Sequence, residues 1–314
     1  MDRSFPMSRT FDAALARAPV FFEPVPPSIR TRSDRVDAYF QELASRLATV
    51  EQWDAIDVPE LIDENHDGRP YYRTVDPREI GHRLMELVQK PVVVNKVVAH
   101  LPSPAALIEW IRQTIDGGIQ NVVLVGGSSR YIPYPGPQVI EADRACAGIL
   151  REKGGNLGNI AIPQRQGEAH RMLAKTRAGA SFFTTQILFD SESLRRTLQE
   201  YDGLCQKAGI PAAAVLLSFA PLSDESDAEF IRWLGAEIPE AAERAILNGD
   251  EPSAGDRAIE QARRVWTETR AGADADGLSL ALGVNVEQLT PRHLDVALRM
   301  LSALAREVHR SSAG

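Results

Sequence analysis

Cysteine is scarce in this sequence, and that scarcity removes several classes of protein at once. Only Cys146 and Cys205 occur in 314 residues, far apart and in no C-x-x-C pair. A disulfide scaffold and a cysteine-ligated zinc site are excluded as organising principles. The two thiols read as small buried hydrophobes in a reducing, cytoplasmic setting. Long apolar runs are missing too. None reaches the ~18 residues of a membrane span, and the N-terminal stretch has no signal-peptide core. Basic residues are outnumbered, giving a formal net charge of −8. A general nucleic-acid partner is excluded on that ground, because phosphate neutralisation needs a basic face. No G-x-G-x-x-G follows the first apolar run, which removes the main sequence sign of a Rossmann nucleotide domain. No Ser-His-Asp or Cys-His set is visible, and the six histidines lack metal-ligand spacing.

What is present is an alternation. Residues 1–17 are polar and read as a loosely held, irregular arm. From residue 18 to 314, short apolar runs alternate with amphipathic stretches, which predicts parallel strands joined by helices in one domain. The expected strands are Pro19 to Phe22, Trp53 to Val58, Val92 to Ala99, Asn121 to Val125, Asn159 to Ile162, Ser181 to Leu188, Ala212 to Leu217 and Leu278 to Val284. Helix starts are legible between them. Ser33-Asp34 precedes Val36, Tyr39, Phe40, Leu43 and Leu47, spaced as one helix face requires. Ser103-Pro104 supplies a cap and an N1 proline, and Gly117-Gly118 stops the helix that follows. Asp190 and Thr290-Pro291 open two more. Eight strands and about as many helices in this length predict an α/β fold, a (β/α)8 TIM barrel. The segment Asp224 to Asp256 reads as an elaborated crossover between strands 7 and 8.

Chemistry in such barrels sits at the carboxyl ends of the strands, so polar residues there carry the most information. Glu23 ends the first strand and is followed by Pro24-Val25-Pro26-Pro27, a stiff stretch without backbone donors. A carboxyl beside phenylalanines and prolines is either an ordinary loop glutamate or a desolvated general acid. After strand 2 come Asp57, Glu60, Asp63, Glu64 and Asp67, with His66 among them. The run fits a solvated, helix-capping loop better than a metal site, and either Asp63 or Glu64 can meet a polar heterocycle. Lys96, in strand 3, is a partnered buried cation if it faces inward and a solvated edge charge if it faces outward. Gly126-Gly127 after strand 4, before Ser128-Ser129-Arg130, makes either a tight turn or an anion-binding backbone. Arg165 follows strand 5. Gln186 in strand 6 offers a donor and an acceptor together, suited to a pterin-like or amide-bearing ring, unless neighbouring groups satisfy it. Phe219 in strand 7 either covers a planar ligand or packs in the core.

Two of these stretches resemble a known family. Phe22-Glu23-Pro24-Val25-Pro26-Pro27 resembles the F-E-x-x-P-P motif of methylenetetrahydrofolate reductases. Ala180 to Asp190, with Thr185-Gln186, is similar to that family's A-x-x-x-x-T-Q-x-x-[FY]-D run. The resemblance covers roughly residues 18–300. It implies a barrel enzyme that reduces 5,10-methylenetetrahydrofolate to 5-methyltetrahydrofolate, with Glu23 as acid and Gln186 on the folate. Flavin-dependent members carry R-G-D after strand 4, H-L-T in strand 3 and a long Y-P-E-x-H-P-E segment after strand 5. Here those places hold Gly126-Gly127-Ser128, Lys96-Val97-Val98 and Pro163 to Glu168. The pattern resembles the flavin-independent branch, which shares a P-x-R-x-G-E run, an L-L-S-F run at Leu216 to Phe219 and an acidic pair falling on Asp63 and Glu64. That branch implies NADH or NADPH as co-substrate and no FAD, with Phe219 on the substrate. Lys96, Gly126, Gly127 and Arg165 then fall to the dinucleotide or the folate anion, and a homo-oligomer is compatible with the chain. The competing expectations are a non-catalytic folate- or nucleotide-binding paralogue and a flavin-dependent relative acting on another C1 carrier.

Overall fold

The computed structural model describes residues 4–64, 69–72, 74–129, 131–249 and 251–311; His66, Asp67 and Arg130 lie outside them. In chain order the strands are β1 (Val20–Glu23), β2 (Ala55–Val58), β3 (Ile62–Glu64), β4 (Pro70–Tyr72), β5 (Val92–Val97), β6 (Asn121–Val125), β7 (Asn156–Ala161), β8 (Phe182–Thr185), β9 (Ala214–Phe219) and β10 (Leu282–Glu287). All but β3 and β4 close into a parallel barrel in the order β1-β10-β9-β8-β7-β6-β5-β2, while β3 and β4 form a separate antiparallel pair. The fold is a (β/α)8 barrel, as the alternation of apolar runs predicts.

The helices are α1 (Ser4–Leu15), α2 (Ser33–Leu47), α3 (Pro77–Val88), α4 (Pro104–Asp116), α5 (Val139–Glu152), α6 (Glu168–Ala178), α7 (Glu192–Ala208), α8 (Glu225–Trp233), α9 (Glu240–Leu247), α10 (Ala254–Ala275) and α11 (Leu294–Ser311). Their ends follow the local chemistry. The Ser103 hydroxyl accepts from the Ala106 amide at 3.2 Å, and Pro104 occupies the first turn of α4, where an amide N–H would have no partner. Gly118, with φ +94°, turns the chain out of that helix. The elaborated crossover between the last two barrel strands consists of α8 and α9 inserted before α10.

Period-two alternation divides each barrel strand between two environments. Phe21, Ala55, Val93, Val123, Phe182, Ala214 and Leu216 form an inner cluster, while Val20, Phe22, Val92, Val94, Leu217 and Phe219 belong to the layer shared with the helices. Gly158 leaves room inside the barrel: a Cβ there would lie 2.4 Å from the Phe182 ring.

The N-terminal stretch corrects one expectation. Residues 4–15 are helical rather than irregular, and Phe11 and Leu15 are buried in the inner cluster. The Phe11 ring lies 5.4 Å from Phe21 and 5.7 Å, edge-on, from Phe182. Asn156, at the start of β7, donates to Asp12 at 2.8 Å. Helix α1 therefore plugs the amino-terminal end of the barrel. Phe11, Ala14 and Leu15, three and four positions apart and all buried, give the helix the apolar face this role needs. Phe11→Ala should lower stability by about 3 kcal/mol, as buried aromatic truncations do, read from urea unfolding midpoints. An unchanged midpoint would show that the helix only rests on the barrel.

Candidate functional site

The same alternation that lines the lower barrel with apolar side chains changes character one layer up. Two residues beyond Phe21, Ala55, Val93, Phe182 and Leu216 stand Glu23, Asp57, Asn95, Thr184 and Ser218. Strand β10 adds Asn285 and Glu287, with Glu287 the register partner of Glu23. Adjacent strands β10, β1 and β2 thus each contribute a carboxyl to the carboxyl-terminal end.

Glu23 is partly buried, and its Oε2 accepts from the Asn285 amide at 3.0 Å. Burial raises its pKa to about 7, and the Asn285 hydrogen bond limits the rise. Asp57 is fully buried, and neither of its oxygens has a hydrogen-bond donor among the described residues. Burial, then repulsion from Glu23, pushes its pKa well above the carboxylate range. Glu287 is pushed up as well by burial and by Glu23 and Asp57, against a hydrogen bond with Ser218. Asn285 also reaches Ser218 Oγ at 3.3 Å, while the Asn285 and Asn95 amide oxygens are buried without partners. This end of the barrel is rich in acceptors and poor in donors.

The stiff segment after Glu23 is pinned from two sides. The buried Gln288 donates its backbone N–H to Glu23 O at 2.8 Å, and its side-chain oxygen accepts from Val25 N at 3.2 Å. Tyr39 of α2 donates to Val25 O at 2.9 Å. Glu23 is consequently held by its backbone as well as by its side chain.

The expected site residues fare differently. Gln186, just past β8, stands at the same end of the barrel as Glu23. Its amide nitrogen donates to Leu234 O at 3.0 Å and its oxygen accepts from Ile187 N at 3.0 Å. One donor hydrogen and one lone pair remain for a ligand. Asp63 and Glu64 lie on β3, in a hairpin that replaces the expected loop. Glu64 bonds His100 Nε2 at 2.7 Å through one oxygen, and accepts from Ser128 Oγ at 2.6 Å and Tyr134 OH at 2.8 Å through the other. Burial alone would raise its pKa, but the bonds from Ser128, Tyr134 and His100 outweigh it and hold the carboxyl below its ordinary value.

Lys96 is neither the inward cation nor the solvated one. It sits on the outer face of β5 with Val92 and Val94, yet buried, its Nζ 2.6 Å from Glu60 and 5.5 Å from the centroid of the Trp110 ring. Both partners are less than a tenth exposed, so the charge is spent on Glu60 and does not face the barrel mouth. Phe219 is also on the outer face, in the core between strand and helix; its neighbour Ser218 takes the inner position. Gly127 makes room for Tyr134, whose ring would lie 2.2 Å from an added Cβ, and Gly126 packs towards Val139. Arg165 is exposed on the loop after β7. Asp57 was legible only as part of an acidic run, and Asn285 and Glu287 fell beyond the expected end of the last strand at Val284. Their alternation with Gly283 was the signal available.

All six exposed large hydrophobics among the described residues (Ile29, Leu61, Tyr71, Tyr72, Tyr131 and Trp233) lie on segments that follow barrel strands at this end. Ser28 bridges to Thr74, and Glu64 ties the hairpin to the loop carrying Tyr131. Exposed apolar side chains are therefore concentrated on the segments at the acceptor-rich end. Among the described residues no three His, Cys, Asp or Glu side chains are arranged to hold a metal ion, and no helix is long and apolar enough to cross a membrane.

Comparison with known proteins adds one informative likeness. An uncharacterized protein from Clostridium thermocellum that binds two copies of 5-methyl-5,6,7,8-tetrahydrofolic acid superposes with a TM-score of 0.74. The match covers 95% of this chain and 98% of that one at 15% identity, a likeness of fold. A putative lyase/mutase from Burkholderia cenocepacia J2315 matches more loosely, with a TM-score of 0.49 at 15% identity over 98% of this chain and 85% of its own. No protein-family profile and no curated protein matches the sequence.

The Glu64 brace makes a testable claim. Glu64→Ala leaves the His100, Ser128 and Tyr134 donors without their acceptor and should cost about 2 kcal/mol of stability; Tyr134→Phe should cost less. Because the folded-state pKa of Glu64 lies below its unfolded value, the advantage of wild type over Glu64→Gln is present above the unfolded pKa. It should shrink as pH falls through the folded value. Denaturation midpoints at neutral and acid pH check both, and a pH-independent difference would sink the ionised brace.

Proposed function

We propose that this protein binds a reduced folate at the carboxyl-terminal end of its barrel and reduces 5,10-methylenetetrahydrofolate to 5-methyltetrahydrofolate with NADH or NADPH, without a flavin. The observation that carries the reading is Glu23. It sits in the F-E-x-x-P-P-like stretch, at the mouth of the barrel, with a pKa raised to about 7 by burial. A group acting as a general acid at neutral pH needs that value. The Clostridium protein of similar fold binds 5-methyltetrahydrofolate, the compound this reduction would produce.

The chemistry needs little else from the chain. Hydride adds poorly to the closed five-membered ring of the substrate. Glu23 gives its proton to N10, the N10–methylene bond breaks, and an N5 iminium forms. Hydride from the nicotinamide adds to the iminium carbon, leaving the methyl group and oxidised nicotinamide. Glu23 regains a proton from solvent. The remaining hydrogen-bonding capacity of Gln186 and the carboxyl of Asp63 serve the pterin; the exposed aromatic side chains at this end offer flat faces to both rings. Orientation of two rings in one mouth lowers the barrier by making the transfer effectively unimolecular.

A second reading is favoured by one observation: Gln186 already spends half of its amide on Leu234 and Ile187. A reduced-folate-binding protein without reductase activity would need no more than that. Anaerobic NADH oxidation on adding methylenetetrahydrofolate, with and without added flavin, separates the readings. Turnover without flavin supports the first, binding without turnover the second, and turnover only with flavin removes direct transfer. Glu23→Gln should lower kcat by about 100-fold or more. The wild-type rate should fall as pH rises past about 7, where the acid loses its proton.

A further inference from the structure

Three carboxyls on three adjacent strands, with no cation among the described residues turned towards them, pose a problem of charge. Glu23 and Glu287 are register partners on β1 and β10, and Asp57 stands on β2, which pairs with β1. Asp57 is 0% exposed and both its oxygens are buried without a donor among the described residues. An ionised carboxylate in such a place would lack both water and partner, so it must hold a proton or share one with a neighbouring carboxyl. The groups facing the set are few. From β10 come Glu287 and the neutral Asn285, from β9 the Ser218 hydroxyl, and from α2 the Tyr39 hydroxyl, which is directed at Val25 O. From β5 the nearest charge is Lys96, on the outer face and paired with Glu60. None of these neutralises a second negative charge.

We propose that Glu23, Asp57 and Glu287 form one proton-sharing unit that retains about two protons among its three carboxyls at neutral pH. Asp57 and Glu287 act in it as positioning residues that keep a proton on Glu23. The consequence for catalysis rests on the reading of Glu23 as the acid. When Glu23 gives its proton to the substrate nitrogen, the unit gains one negative charge as the substrate becomes an iminium cation. Water returns the proton after hydride transfer. The unit thus resists losing its proton to bulk solvent and gives it up to a base whose own cation it then faces.

The test counts protons. In the unfolded chain at pH 7 all three carboxyls are ionised, so unfolding releases the protons the unit held. Asp57→Asn and Glu287→Gln should each reduce the proton release on urea unfolding at pH 7 by about one, and the double variant by about two. Equal release from wild type and variants overturns the proposal. If either variant fails to fold, infrared spectra of a chain that keeps all three carboxyls decide. With carboxyl-labelled Asp at pH 7, and Asp143→Asn to remove the other buried Asp with an unpartnered oxygen among the described residues, the spectrum should still show the carbonyl stretch of a protonated acid, and its absence overturns the proposal. Where reductase turnover is measurable, Asp57→Asn should move the alkaline limb of the rate profile to lower pH by about one unit. An unmoved limb leaves Asp57 a structural residue. Proton counting and infrared spectra read the unit whether or not the protein is a reductase, so failure of one claim is separable from failure of the other.

Discussion

Burial of carboxyls with no cation beside them among the described residues governs the upper half of this barrel. Below, the inner face is closed by Phe11, Phe21 and Phe182, a dry stack that needs no polar partner. Above, the same strands present Glu23, Asp57 and Glu287 together with the unpartnered oxygens of Asn95 and Asn285. The carboxyls stand one layer above the apolar cluster, and burial together with their mutual repulsion raises their pKa values. Packing below and acid chemistry above are therefore two effects of one alternation along the strands.

The loops around this end are tied to one another through Glu64. Glu64 gathers donors from the helical turn after β5 and from two places on the loop after β6, so segments following β2, β5 and β6 meet on one carboxylate. Gly127 is part of the same construction, since any side chain there would strike the Tyr134 ring. Of the readings open for Gly126-Gly127, a tight turn or an anion-binding backbone, the contact of Gly127 with Tyr134 fits the turn, and of the two candidate acids Glu64 has its oxygens taken up by internal partners.

Much of the architecture was legible because alternation and capping are local. The run Asn121 to Val125 is a strand at the expected bounds, and the cap at Ser103 and the stop at Gly118 fall where the residues require. Glu23 was legible because a strand end, two phenylalanines and three prolines all constrain one position. Two failures share a cause: sequence gives the position of a residue along a strand, but not which face it takes. Lys96 and Phe219 each stand one residue away from an inward position, and their neighbours Asn95 and Ser218 hold it. Glu287 escaped because the end of the last strand was placed at Val284, short of its acidic tip. The hairpin of β3 and β4 had no signal, since its residues pair across a segment too polar to read as strand. The brace of Glu64 joins residues 36 to 70 positions apart, which no local pattern reports.

Helix α1 also has a bearing on how the chain assembles. Phe11 and Leu15 share their cluster with residues of β1, β2, β5, β6, β8 and β9, so the first helix of the chain finds its seat among strands made late in the sequence. The helix can complete its packing only once most of the barrel strands are in place, and long-range closure of this kind is costly in chain entropy.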